Sequence, residues 1–219
     1  MTPDEALFRV FSATLTPMTA AKTPRTQPSE VRRRDLLEAA ATLFLQQGFD
    51  ATPVDEIVLR AGMSKGLFYH YFSSKQEILA ALREQFIQQF HDRVQGALEQ
   101  APEDDWVQRL ACWIRASVQA YRDTLDMHDL VFSDHMRSNY QGERNTVTEP
   151  LHSILSEGQK AGAWSVADVD LTAWVIYQGM HGAVDNMGLE TAEQWAAMED
   201  NLVTLFVSML GATPPCRKK

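Results

Sequence analysis

Cysteine is almost missing from this sequence: Cys112 and Cys216 are the only two in 219 residues. They lie too far apart to suggest a disulfide framework and form no Cys-x-x-Cys pair, so they read as a buried thiol and a tail residue of a reducing compartment. Glycine and proline are scarce as well, 11 and 9, and the prolines cluster near the ends. Long interior stretches without breakers exclude a turn-rich all-β fold and favour helices. No apolar run approaches the ~18 residues of a membrane span, so no membrane partner is expected. The segment Leu7–Leu15 carries Arg9, follows Asp4 and Glu5, and lacks a basic start. It is not expected to act as a signal peptide, and a cytoplasmic location is expected. Gly-x-Ser-x-Gly, Walker and Gly-x-Gly-x-x-Gly patterns are all missing, so no catalytic residue and no cofactor is expected.

What is present is apolar and unevenly charged. Apolar residues make up 45% of the chain, enough for a real core and too many for a disordered chain. The net charge of −9 speaks at first against a nucleic-acid partner. Residues 1–80, however, hold nine basic and nine acidic side chains, while residues 81–219 hold eleven and twenty. The acidity belongs to the second part. The first part is neutral, with a basic run at Arg32, Arg33 and Arg34 and with Lys65 and Lys75 flanking an aromatic cluster. Such a head can grip phosphates while the acidic body keeps the protein soluble.

Residues 1–28, rich in Thr, Pro and Ala, read as a mobile extension, and residues 211–219 as a flexible tail. Ser29 is a good N-cap for a first helix running to Gln47, with Leu37, Ala40, Ala41, Phe44 and Leu45 on its inner stripe and Gly48 as its stop. Thr52-Pro53-Val54-Asp55 reads as cap, first turn and N3 acid of a short second helix ending at Gly62. Ser64 caps a third helix, Lys65 to Phe72, whose Phe68 and Phe72 share one face. Ser74-Lys75-Gln76-Glu77 is a capping box opening a fourth helix. Two short helices joined by a three-residue turn, behind a longer supporting helix, make the layout of a DNA-reading helix-turn-helix. Beyond Gln100 further helices are expected at Asp104–Thr124, Asp126–Ser138, Thr146–Lys160, Asp168–Gly188 and Thr191–Leu210, with breaks at Gly142, Gly162 and Gly188. The fold class is all-α.

Gly48-Phe49-Asp50-Ala51-Thr52, Ile57, Ala61-Gly62-Met63-Ser64-Lys65-Gly66, Phe68-Tyr69-His70-Tyr71-Phe72 and Ser74-Lys75 together resemble the N-terminal domain of TetR/AcrR-type transcriptional regulators, over roughly residues 29–80. Taken singly, a capping serine is only a cap and a phenylalanine only core; the coincidence of spaced elements carries the signal. The resemblance implies a three-helix DNA-binding domain over 29–75 and a larger helical effector-binding and dimerisation domain over 76–210. It assigns DNA contacts to Thr52, Ser64, Lys65, Gly66, Tyr69, His70, Tyr71 and Lys75. Leu67 stands where many members have Thr, offering an apolar contact to a thymine methyl, and Pro53 where many have Ser or Thr. Gly66 has no side chain, so the start of the recognition helix can approach the duplex closely, at a propensity cost of ~1 kcal/mol.

For the body, the resemblance implies a ligand pocket in the middle helices and a dimer through the last two. Trp113, Tyr121, His128, Phe132, His135 and Met136 are candidate linings for a small hydrophobic or aromatic effector. Trp174, Tyr177, His181, Trp195, Leu202 and Phe206 are candidates for the dimer interface. His181 and Asp185 stand at metal-ligand spacing, but with no third ligand they read as a hydrogen-bonded pair, and no metal is expected. The expected function is that of a homodimeric repressor, released from a palindromic double-stranded DNA operator by its effector. The alternatives are an activator of the same fold, a helical enzyme using His128, Asp129 and His135, or a small-molecule-binding or interaction module that does not act on DNA.

Overall fold

The structure is a computed structural model describing residues 28–132 and 140–214, with side chains from residue 147 in the second stretch. The described residues form nine helices and no strand: α1 Ser29–Gln47, α2 Val54–Arg60, α3 Lys65–Tyr71, α4 Lys75–Leu98, α5 Trp106–Asp123, α6 Leu125–Val131, α7 Tyr140–Lys160, α8 Val169–Asn186 and α9 Ala192–Met209. They fall into two compact units, one of residues 28–86 with 124–132 and one of residues 87–123 with 140–214. The all-α expectation holds among the described residues. All but Pro28 of the extension, together with His135, Met136 and Cys216, lies outside them.

The first unit is built on α1, whose Leu36, Leu37, Ala40, Ala41 and Phe44 are buried. Gly48 ends it at φ 87°, a conformation that a side chain disfavours, and its N–H returns to the Phe44 carbonyl. Local corrections follow. Ser29 is not the cap: Pro28 takes that place, and the Ser29 hydroxyl donates to Tyr71 Oη at 3.2 Å. Pro53, not Thr52, precedes the first residue of α2, which puts Asp55 at N2. At the start of α4, Ser74 Oγ accepts from the Glu77 N–H at 3.1 Å as a cap should. Glu77 turns instead to Ser73, accepting its N–H and hydroxyl at 2.6 Å each.

α6 packs against α1 in this unit. It ends at Val131, not Ser138, where Phe132 turns inward against Phe86 with ring centroids 5.8 Å apart. Arg83, 1% exposed, donates from Nε to the Val131 carbonyl at 2.8 Å and lies over the Phe132 ring. A buried cation is tolerable only with such partners.

In the second unit α5 is central, packed by α7, α8 and α9. Arg115 meets Asp200 at 3.1 Å and Gln119 donates to Glu199 at 3.0 Å, both from α5 to α9. α7 continues through Gly142 and Pro150 without the expected break. A lone helical glycine costs only ~1 kcal/mol, too little to end a packed helix. α8 and α9 close together where Gly179 leaves room for the Phe206 ring: a Cβ there would stand 2.9 Å from its Cζ.

Candidate nucleic-acid interface

The geometry of α2 and α3 follows from their ends. The turn between them closes by Gly62 N–H to Leu59 O at 3.2 Å and Met63 N–H to Val58 O at 2.8 Å, with Gly62 at φ 65°. Ser64 then caps α3, its Oγ accepting from the Leu67 N–H at 3.3 Å. Phe68, fully buried, pins the helix to the core, and Phe72 just beyond it is 2% exposed. With one face so held, the opposite one is presented outward. Ser64, Lys65, Gly66, Tyr69 and His70 are all exposed, Tyr69 by 51%, and Leu67 and Tyr71 are half-buried.

The cations of this surface differ in how free they are. Lys65 Nζ meets Asp55 at 2.8 Å, both side chains more than half exposed. The hydrogen bond and charge of Asp55 raise the Lys65 pKa, so the ammonium stays charged. Lys75 is spent differently. Its Nζ donates to the carbonyls of Phe49, Asp50 and Thr52 and lies 4.4 Å from the Phe49 ring centroid. An ammonium has three N–H donors, and all three are used. Lys75 therefore locks the turn between α1 and α2 from the start of α4.

Thr52 is placed inside. It is fully buried, and its hydroxyl donates to the Gly48 carbonyl at 2.7 Å while accepting from Gln47 Nε2 at 3.3 Å. A hydroxyl so enclosed is not presented to a phosphate. Its role is to hold the turn that aims α2. The sequence motif thus divides into residues that face outward and residues that fix the aim. Spacing alone did not separate the two, because a cap, a lock and a contact use the same side-chain types.

Trp113 and Tyr121 lie buried in the second unit, while His128 and Phe132 lie in the first, their rings 4.8 Å apart. Tyr121 Oη donates to Asp185 at 2.7 Å, and its ring lies 4.3 Å from that of His181. His181 Nδ1 stands 2.9 Å from the Tyr177 carbonyl. Among the described residues no group of three or more His, Cys, Asp or Glu is placed to hold a metal ion. A surface depression of about 520 Å³ at the start of α5, bounded by Asp104, Asp105, Trp106 and Gly162, involves none of the expected linings. No helix among the described residues is long and apolar enough to cross a membrane.

Of the expected interface residues, Trp174, Tyr177, His181 and Trp195 are half-buried, but Leu202 and Phe206 are 7% and 4% exposed and fill the core of the chain itself. Among the apolar side chains left outside are Leu171 and Val175 on α8 and Leu205 and Met209 on α9, each 47–61% exposed. They form two i, i+4 pairs. Leu205 and Met209 each follow Leu202 and Phe206 by three residues, about 60° around α9, so helical phase alone does not separate them from the buried side.

Residues 36–82 match the model of the bacterial regulatory proteins of the tetR family. The chain is 33% identical over 178 residues to the HTH-type transcriptional repressor KstR2 of Rhodococcus jostii, covering 72% of this chain and 84% of that protein. It is 30% identical over 175 residues to the KstR2 repressor of Mycolicibacterium smegmatis, covering 71% of this chain and 82% of the relative. A third relative, the HTH-type transcriptional activator FasR of M. smegmatis, is 35% identical over 125 residues, which cover 56% of this chain and 51% of that one. The fold matches that of a tetR-family regulatory protein from Rhodococcus RHA1 with a TM-score of 0.68, at 21% identity over 83% of this chain and 98% of the other.

Proposed function

Since the chain belongs to the TetR family of DNA-binding transcriptional regulators, we propose that it acts as a homodimeric repressor, released from a palindromic operator by a small apolar effector. One observation carries the reading. α3 has a fully buried anchor at Phe68 and a continuous outward face of Ser64, Lys65, Gly66, Tyr69 and His70. In its own unit that face offers the Ser64 cap and the exposed Lys65–Asp55 pair, and its donors suit phosphate oxygens and base edges. The free N–H groups at the start of α3 add a site for a phosphate. The dimer reading is supported by Leu171, Val175, Leu205 and Met209, four exposed apolar side chains on the two last helices, of a kind that a partner would cover. Two recognition helices related by a two-fold axis would then enter successive major grooves ~34 Å apart.

Repression is favoured over activation by two relatives of which the chain covers more than four fifths of the length, both named repressors. The activator named among the relatives aligns over only half of its own length. A footprint on the DNA upstream of the chain's own gene tests the proposal, with transcript levels in a deletion strain giving the sign of regulation. The expected result is a protected, two-fold symmetric site at moderate salt and a transcript that rises on deletion. Uniform binding to unrelated DNA with no protected site would sink it. Leu205→Glu with Leu171→Glu is expected to turn a dimer into a monomer in sedimentation.

A further inference from the structure

The basic run at the start of α1 divides once the partners of each cation are known. Arg34 lies 3.5 Å from Glu38 and 3.9 Å from Asp35, so its charge is spent within α1. Arg33 lies over the Phe72 ring, 5.4 Å from its centroid. Arg32 is different. It is half-buried, yet its side chain makes no hydrogen bond or ion pair among the described residues, and none of its guanidinium nitrogens is closed off from solvent. A free guanidinium on a partly held stem is prepared for an anion, because its fork fits phosphate oxygens two at a time.

The place of Arg32 says which anion. Ser29 Oγ donates to Tyr71 Oη at 3.2 Å, and Arg33 covers Phe72, so the first turn of α1 stands beside the last turn of α3. Arg32 follows Ser29 by three residues, about 60° around the helix. Lys65 opens α3 and Tyr71 closes it, and seven residues make a helix ~10 Å long. The major groove is ~12 Å wide. A cation at each end of the reading helix thus matches the two phosphate strands that border the groove. The acids of α1 do not compete. Glu30 lies about 160° around the helix from Arg32, and Asp35 is turned to Arg34. The chain that enters α1 carries Lys22 and Arg25 and no acidic residue between Ala6 and Ser29, which keeps the local field positive.

We propose that Arg32 is a second backbone grip, taking one DNA phosphate at the Tyr71 end of α3, on the strand opposite the one that Lys65 meets. The proposal rests on the regulator reading above and adds to it a contact that is blind to sequence. A phosphate contact fixes the register of the helix in the groove and carries no base preference. Arg32 therefore contributes affinity on any duplex, and the outward face of α3 contributes the choice of site.

Fluorescence anisotropy on two labelled duplexes, one carrying the protected site and one of random sequence, reads Kd across a salt series with the full-length chain. Arg32→Ala should lower the slope of log Kd against log salt by about 0.9 per bound protomer on both duplexes. Between about 50 and 200 mM salt the wild type should then lose roughly threefold more affinity per protomer than the variant. Arg32→Lys keeps the charge and should stay within about 0.3 of the wild-type slope, whereas Arg32→Gln should match alanine. Arg34→Ala removes an equal charge from the same turn of α1, about 160° away, and should also stay within about 0.3 of wild type. Because Arg32 bears no ion pair, its alanine variant should melt within about 2 °C of wild type, which separates a lost contact from a lost fold. A slope that Arg32→Ala leaves unchanged, or that Arg34→Ala lowers as far, would overturn the proposal. A protected site in the wild type with no slope change in Arg32→Ala refutes the grip alone. A slope change on the random duplex with no protected site anywhere refutes the sequence-reading regulator alone.

Discussion

Replacing Gly66 by alanine should make the protein more stable and a worse DNA binder. Gly66 is the second residue of α3, and a Cβ built there meets nothing within 4 Å. Its backbone is helical with negative φ, so alanine fits without strain. Alanine then gains roughly 0.5–1 kcal/mol of helix propensity, diminished somewhat by the position in the first turn. For a chain of this size that raises Tm by about 1–3 °C. The open space is, on the present reading, the space the duplex fills. A methyl group there pushes the helix start away from the DNA by an ångström or more, which breaks an N–H to phosphate bond of ~2.9 Å. Losing one such contact and the register it sets costs about 1–3 kcal/mol, or roughly 5- to 150-fold in Kd. Fluorescence anisotropy on a labelled duplex carrying the protected site reads the Kd, and scanning fluorimetry on the same sample reads Tm. Gly96→Ala is the control, since Gly96 is also exposed on a helix, α4, with nothing within 4 Å of its Cβ position. It should gain similar stability with unchanged Kd. If Gly66→Ala raises Tm and leaves Kd where it was, α3 does not approach DNA through its first turn and the close-approach argument is wrong.

Gly158→Ala reverses the usual sign: its Cβ would overlap the Trp164 ring, whose indole N–H is bonded to the Leu155 carbonyl at 2.9 Å. Displacing that buried ring should cost about 2–3 kcal/mol and lower Tm by about 5–10 °C, and a stabilised variant in calorimetry would contradict the packing. Lys75→Met keeps the stem over Phe49 and deletes three bonds to carbonyls, so it should destabilise by about 2–3 kcal/mol and weaken DNA binding without changing the salt slope. A slope reduced by ~1 in a fully stable variant would return Lys75 to the phosphates. Glu77 has its pKa held below the ordinary carboxylate value by the Ser73 hydroxyl and then the Ser73 N–H. A depressed folded pKa gives stability that is present above the unfolded value of ~4.3 and is lost as pH falls through the folded one. Urea midpoints of wild type and Glu77→Gln should therefore differ at pH 7 and converge below pH ~4; a constant gap would deny the ionised cap.

How much of this was legible in the sequence depends on which physical signal each residue carried. The helices of the first unit were readable because stops and caps are local chemistry: Gly48, Gly62 and Ser64 act within a turn of where they stand. The cap at Ser29 was misplaced by one residue because Pro28 meets the same need, and the Glu77 side chain found Ser73 within reach as well as Ser74. Long-range partners left no such trace. Nothing about Lys75 announces three carbonyls more than twenty residues away, and nothing about Arg83 announces the Val131 carbonyl 48 residues on. In the body, aromatic content alone did not tell which unit a residue belongs to: Trp113 and Tyr121 lie in the second unit, whereas α6 packs on α1 and places His128 in the first.

The same distinction explains how one short segment can be both rigid and available. Thr52 and Lys75 are bound inward by strong, enclosed hydrogen bonds, so the turn that aims α2 and α3 is set before any ligand arrives. Lys65 is bound outward, to Asp55, in a pair whose members are both more than half exposed. An exposed ion pair is worth ~0–1 kcal/mol, so exchanging a carboxylate for a phosphate at Lys65 costs the fold almost nothing. Asp55 meanwhile holds the ammonium beside the start of α3, where a phosphate would sit, and sparing that side chain a search lowers the entropy lost on binding. Contacts that set the aim are therefore expensive to break, and the contact proposed to meet DNA is cheap to exchange, which is the order of strengths a reading head requires.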